Sequence, residues 1–244
     1  MAKNKQKPAK KPETARREKL DALRREQKAA ERRRTRIVVG VAVLVALGLV
    51  TAAAVPLVSN WLDDPGRRGW ADFGVAASEA SCDAVVEEEV TGELDHRAEG
   101  EVIEYASVPP MSGPHYAVPA SFNRKFYTES DRPEIERLVH NLEHGYTILW
   151  YDPAVLDDQE STMRELATKV TAEDGELAEE VAGKFLIAPW DTARGEFPEG
   201  KSYALTHWGA EQGFKQLCGD LSGEVVRDFL TEHPSSDSPE PFGA

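Results

Sequence analysis

The sequence lacks the short motifs that identify the large enzyme classes. It contains no phosphate-binding loop, no dinucleotide-binding fingerprint, no nucleophile elbow and no convincing Ser-His-Asp set. Internal repeats are absent as well. These absences argue against nucleotide-binding enzymes and against serine hydrolases of the nucleophile-elbow type.

Charge is missing between Ile37 and Val58, a run of 22 residues. As a helix this run extends roughly 33 Å, which is enough to cross the core of a bilayer. Residues 1–36 hold 15 basic and 5 acidic residues, whereas two aspartates follow the run. The positive-inside rule then predicts a single-pass membrane protein with a cytoplasmic N-terminus. The alternative is a cleaved signal peptide, with residues 52–54 as the cleavage region.

The charge distribution predicts the domain organisation. The whole chain carries −14, so the residues after the basic tail are strongly acidic. We expect the basic tail to set the membrane topology and not to bind nucleic acid. The membrane is the expected partner, and a protein partner is unknown. We predict five segments: a basic cytoplasmic tail (1–36), a transmembrane helix (37–58), a juxtamembrane linker (59–74), one extracytoplasmic domain (75–232) and a disordered tail (233–244).

Cysteine is also scarce, since Cys82 and Cys218 are the only two. They form no Cys-x-x-Cys motif, which disfavours a thiolate metal site or a dithiol redox centre. Outside the cytoplasm, a disulfide that ties together the two ends of the domain is the default expectation.

The hydrophobic periodicity predicts a mixed domain, α/β or α+β, behind the transmembrane helix. We expect helices that start near Asp131, Asp158, Gly175 and Gly223. Strands are expected at 84–90, 101–105, 147–151, 184–188 and 202–206, and the first two can pair.

Histidine is distributed unevenly, because three of the six histidines fall in two short runs. On a helix over residues 134–144, Ile135, Leu138, Val139 and Leu142 form the core face. His140 and His144 then project from the other side, adjacent to each other and flanked by Glu143. The rigid Pro/Gly loop 107–119 is the natural segment to cover them.

Two imidazoles four residues apart on a helix are a common beginning of a transition-metal site. The further ligands must come from elsewhere, and we expect them among His115, Met111, Glu143, His96 and His207. A thioether ligand favours copper, whereas histidine and carboxylate alone favour zinc. His140-x-x-Glu143-His144 also fits an inverted zinc-protease motif, but Gly145 ends the helix too early for that context.

These residues resemble a known family. The pattern consists of Tyr105, Pro109-Pro110-x-Ser112-Gly113-Pro114-His115-Tyr116, Val139 to Gly145, and an apolar strand that ends in Tyr151-Asp152-Pro153. It is similar to the membrane-anchored family called domain of unknown function 3105, over about residues 92–210. The resemblance implies one N-terminal transmembrane helix and an extracytoplasmic domain, with no established activity. His96 corresponds to a further histidine of the family, and Met111 stands where the family pattern has Thr.

The leading hypothesis is a membrane protein whose extracytoplasmic domain binds copper or zinc through His115, His140 and His144 and handles or senses the metal. The first alternative is an envelope interaction or structural protein in which the histidines hold the loop against the helix. The second is a zinc-dependent hydrolase with Glu143 as general base. The sequence leaves the metal and the oligomeric state open.

Overall fold

The computed structural model describes residues 12–62 and 64–243. Residues 1–11 of the predicted tail, residue 63 of the predicted linker and residue 244 lie outside the described residues. The chain divides into two compact units, Met1–Leu62 and Asp63–Ala244.

The described residues of the first unit form one helix, α1 (Pro12–Leu62). It joins the basic segment and the uncharged run, and its apolar part is long and hydrophobic enough to cross a membrane. Large apolar side chains of that part are exposed within the unit, including Leu44, Leu49 and Leu57. An apolar surface of this size is stable when lipid or protein covers it.

The second unit is a mixed α/β domain built on a five-stranded sheet in the order β1-β7-β6-β4-β5. Strands β4 and β5 are parallel and the other neighbours are antiparallel. A separate parallel pair, β2 and β3, lies apart from this sheet. The strands are β1 (Val86–Glu89), β2 (His96–Arg97), β3 (His115–Tyr116), β4 (Thr147–Tyr151), β5 (Phe185–Pro189), β6 (Tyr203–Trp208) and β7 (Gln212–Cys218). The helices are α2 (Ile135–Glu143), α3 (Leu156–Val170), α4 (Ala178–Val181) and α5 (Gly223–Glu232).

Side chains of β4 alternate between two hydrophobic clusters. Ile148 and Trp150 pack with the residues of α2, whereas Leu149 and Tyr151 pack with those of α3 and α5. A strand buried on both faces reads as a continuous apolar run, as this one does. The sheet therefore separates α2 from α3 and α5, and α2 carries the histidine run on its own side.

Two details of the predicted secondary structure are wrong. Residues 101–105 form no strand, because the amide of Ile103 donates to the buried carboxylate of Glu136 (3.2 Å) and β1 pairs with β7 instead. Helix α2 starts at Ile135 and not near Asp131, because Asp131 accepts from the amide of Thr128 (2.7 Å) and closes a turn before the helix.

The segment 233–243, whose composition favours disorder, follows an ordered course beside α2 and β5. The ammonium of Lys184 donates to the carbonyl oxygens of His144 (2.8 Å) and Pro241 (2.6 Å). The amide of Glu240 donates to the carbonyl of Glu143 (3.1 Å). These contacts lay the segment against the end of α2.

A disulfide links Cys82, just before β1, to Cys218 at the end of β7, across 136 residues of sequence. Closing a loop of this length in the unfolded chain stabilises the fold by up to about 5 kcal/mol.

We expect the double substitution Cys82→Ala/Cys218→Ala to lower the free energy of unfolding by about 3–5 kcal/mol in urea titrations. Recovery of two free thiols from the unreduced native protein would contradict the linkage.

His207 on β6 makes the stability of the domain depend on pH. Its side chain is fully buried, and this burial, together with the nearby His233, lowers the pKa of His207 to about 4. His207 is therefore protonated below about pH 6.5 in the unfolded chain, but only below about pH 4 in the folded domain. The contribution of His207 to the free energy of unfolding is fully present above about pH 6.5 and is lost as the pH falls from about 6.5 to about 4.

We expect His207 to contribute a loss of about 2–3 kcal/mol between pH 7 and pH 4.5. Urea unfolding of the wild type and of His207→Gln at both pH values measures it, because glutamine does not titrate. Equal pH dependence in the two proteins would show that His207 is not the group responsible.

Candidate metal centre

Four potential ligands that are distant in sequence meet beside α2. The parallel pairing of β2 and β3 sets His96 opposite His115, and β3 packs on α2, which carries His140 and Glu143. One donor atom from each of the four lies within 4.8 Å of all the others. His96 is exposed and the other three are buried, so the cluster opens to solvent on one side.

Backbone groups orient three of these side chains. His115 Nδ1 donates to the carbonyl of Gly113 (2.9 Å), and His140 Nδ1 donates to the carbonyl of Tyr116. Glu143 Oε1 accepts from the amide of Leu94 (2.8 Å). In each case one atom is tied to the backbone, and the other, Nε2 or Oε2, remains for the cluster. Protein metal sites orient their ligands in this way.

One close contact in the cluster lacks a hydrogen bond. Nε2 of His115 lies 2.9 Å from Oε2 of Glu143, yet neither atom has a hydrogen-bond partner among the described residues. Because Nδ1 of His115 carries the hydrogen given to Gly113, Nε2 of the neutral ring presents a lone pair to a carboxylate. A proton shared by the two atoms, or a cation that binds both, would satisfy this contact.

The environment keeps both potential ligands on α2 in the form that binds a cation. Burial lowers the pKa of His140 to about 4, against the opposing effect of the Tyr116 carbonyl, so the ring is neutral at neutral pH. Burial raises the pKa of Glu143, but His115 and the Leu94 amide outweigh it, and the pKa lies below its usual range. The site therefore contains a buried negative charge and a neutral imidazole.

His144 stacks on His140 with ring centroids 4.6 Å apart, and their Nε2 atoms are 2.7 Å apart. Since His140 uses Nδ1 as a donor, His144 donates from Nε2 in this pair. Its Nδ1 then faces the carboxylate of Glu240 at 3.6 Å without a hydrogen bond. The structure thus brings His144 to the edge of the cluster, in contact with His140 and with the segment 233–243.

Met111 is buried, and it packs against the backbone of Gly213 on β7. It also lines a pocket together with Ser112, Gly113 and Pro114. His207, another candidate from the sequence, bonds through Nδ1 to the hydroxyl of Thr147 (3.0 Å) and belongs to the core around β6.

The cluster is wider than a bound metal ion requires. Zinc binds imidazole nitrogen and carboxylate oxygen at about 2.0–2.2 Å, so two donors on one tetrahedral ion are about 3.3–3.6 Å apart. The donor atoms here lie within 4.8 Å of one another, so the widest pairs must approach by up to about 1.2–1.5 Å to share one tetrahedral ion. The cluster can hold a metal ion, and its nitrogen and oxygen donors suit several divalent transition metals.

The sequence matches the family described as "Protein of unknown function (DUF3105)" over residues 96–244. The chain belongs to this family. No curated protein and no solved structure matches the chain.

All four residues of the cluster fall inside the part that matches DUF3105, and the match begins at His96 itself. The motif residues between the histidines build the site. The side chain of Asn141 accepts from the amide of Ala120 (2.9 Å) and donates to its carbonyl (3.2 Å). These two bonds hold the chain that follows the loop 107–119 against α2. Tyr105 donates to the carbonyl of Pro114 (3.0 Å) and supports the turn before His115.

Gly145 ends α2 with φ +86°, a conformation that favours glycine. A Cβ at this position would lie 2.3 Å from the carbonyl oxygen of Ser235. The glycine of the DUF3105 motif is therefore required both by the backbone of the helix end and by the approach of the segment 233–243.

The sequence singles out three members of the cluster, His115, His140 and Glu143, and gives His96 little weight; it also singles out His144, which lies at the edge of the cluster. It also misses the tethers from Leu94, Gly113 and Tyr116, because they are backbone groups. The one sequence signal for His96 is its correspondence to a histidine of the family.

Proposed function

We propose that this domain binds one transition metal ion, zinc or copper, through His96, His115, His140 and Glu143. The observation that carries the proposal is the contact between Nε2 of His115 and Oε2 of Glu143, two buried atoms that face each other at 2.9 Å without a formed hydrogen bond. A structural latch of neutral groups would place a hydrogen between them. A metal ion bound by both atoms would satisfy them without a hydrogen between them.

The proposed role is handling or sensing of the metal. Three ligands are buried and oriented by backbone groups, whereas the fourth, His96, is exposed. An exposed ligand can dissociate and return while the others stay in place, which suits exchange of the ion with the surroundings. The three imidazoles and one carboxylate favour Zn²⁺ or Cu²⁺ over Cu⁺, which prefers sulfur ligands.

His140 links the metal to the neighbouring histidine. Its Nδ1 is held by Tyr116, so Nε2 is its one free nitrogen, and Nε2 now contacts His144. That nitrogen cannot bind a metal and accept from His144 at the same time. We therefore infer that the bound ion displaces His144 from His140.

We expect the full-length protein, freed of metal by a chelator, to bind one equivalent of Zn²⁺ or Cu²⁺ with a Kd below about 10 μM at pH 7 in calorimetry. His115→Ala, His140→Ala and Glu143→Gln should each weaken binding by at least about 100-fold, because each removes an oriented ligand. His96→Ala should also weaken it.

His207→Gln is the matched control, because it removes a buried histidine outside the cluster and should leave the affinity unchanged. His144→Ala should retain binding, since His144 competes for the nitrogen of His140. Loss of binding in His144→Ala with binding retained in His96→Ala would assign the ion to the pair on α2 instead. Absence of any binding tighter than about 10 μM, with the same substitutions lowering the melting temperature, would favour the structural latch.

We further propose that the apolar part of α1 spans the membrane with the basic segment in the cytoplasm and the metal-binding domain outside. The step in charge across Ile37–Val58 supports this orientation, and the disulfide suits an oxidising compartment.

We expect a reporter that is active only after export to be active when it is fused to the C-terminus. A membrane-bound but inactive fusion would reverse the orientation, and mature protein that lacks residues 1–54 would identify a cleaved signal.

A further inference from the structure

A second polar site is lined by the part of the loop that precedes His115. A pocket of about 210 Å³ opens between β1 and the segment 104–114, and its walls include Glu88, Glu89, Ser107 and Ser112. The metal cluster does not use these residues. The pocket is large enough for a small acyl group or an amino-acid side chain.

Lys215 of β7 approaches this pocket from the sheet. Its side chain is 9% exposed, and its ammonium nitrogen makes a short contact with the hydroxyl oxygen of Ser107. The same hydroxyl can donate to the carbonyl of Pro109 (3.1 Å). Ser107 therefore stands between an amine and the open volume of the pocket.

We propose that Ser107 and Lys215 form a nucleophile and base pair for acyl transfer, and that the substrate is a small ester or amide with a cationic substituent. A serine hydroxyl needs an adjacent base to become a nucleophile, and a lysine amine can be that base. The glutamates in the walls attract a positive charge beside the reacting group.

The reaction balances without a cofactor. The Ser107 oxygen attacks the carbonyl carbon of the substrate while its proton passes to the neutral amine of Lys215. The bond to the leaving group then breaks, and Lys215 returns the proton to that group. Water next attacks the acyl-serine, again with Lys215 as base, so that the products are the acid and free Ser107.

The surroundings of Lys215 suit the role of base. Burial lowers the pKa of Lys215, opposed by the charge of Glu88 on the adjacent strand β1. Its register partner on β6, Thr206, is uncharged. The remaining acidic residues near the pocket, Glu89 and Glu104, line its wall. A larger fraction of this amine is therefore neutral near pH 8 than for an exposed lysine.

A fluorophosphonate probe tests the pair in the full-length protein with a chelator present, so that the result is independent of the metal. We expect stoichiometric labelling at Ser107, located by peptide mass spectrometry, with a rate that rises as pH passes through the pKa of Lys215. Ser107→Ala should lose the label, and Ser112→Ala, which alters another hydroxyl of the pocket, should keep it.

Lys215→Arg separates catalysis from structure, because arginine keeps the positive charge but cannot accept a proton. We expect it to slow labelling by about 100-fold or more while the melting temperature stays near that of the wild type. A probe with an ammonium group should react faster than its neutral analogue. If Ser107 stays unlabelled in the folded wild type, or if Lys215→Arg reacts at the wild-type rate, Ser107 and Lys215 are not a nucleophile and base pair. If the two probes react at equal rates, the proposed cationic substrate class is wrong.

Discussion

A buried carboxylate organises the histidine side of this domain. Glu143 is about 1% exposed at the end of α2, where water cannot solvate its charge. A buried charge costs on the order of several kcal/mol unless other groups compensate it. The amide of Leu94 supplies one partner and the imidazole of His115 stands at the other oxygen. The segments that hold these two groups must therefore fold over α2, and they bring His96 with them.

The elements that depend on a strong apolar period are the ones that the sequence predicts well. Ile135, Leu138 and Leu142 are fully buried, as the stripe on α2 requires. The continuous run of β4 is likewise a strand buried on both faces. Burial of apolar area is the dominant favourable contribution to the free energy of folding. The residues that are buried therefore show a hydrophobic periodicity that can be recognised in the sequence.

The rest of the fold depends on contacts that leave no such pattern. Strands β2 and β3 have two residues each, too few for any period, yet their pairing decides that His96 joins His115. Strand β7 is not predicted, because Gly213, Lys215 and Gln216 give it neither alternation nor strand composition. The segment 233–243 is held by hydrogen bonds to its backbone, from which its Pro- and Ser-rich composition gives no sign. For the candidate site, the ligand types are therefore predictable, but the groups that orient them are not.

One stretch of chain, from Tyr105 to Tyr116, serves two surfaces. Its Ser107 and Ser112 face the acidic pocket, whereas Gly113 and Tyr116 provide the carbonyls that orient His115 and His140. Gly113 has φ +145°, and a Cβ there would lie 2.9 Å from the ring of Tyr105. A side chain at this position must therefore shift both the pocket wall and the ligand loop. Substitutions on α2 and on β7, by contrast, touch one surface each, so they can separate the chemistry of the two sites where changes in the shared loop cannot.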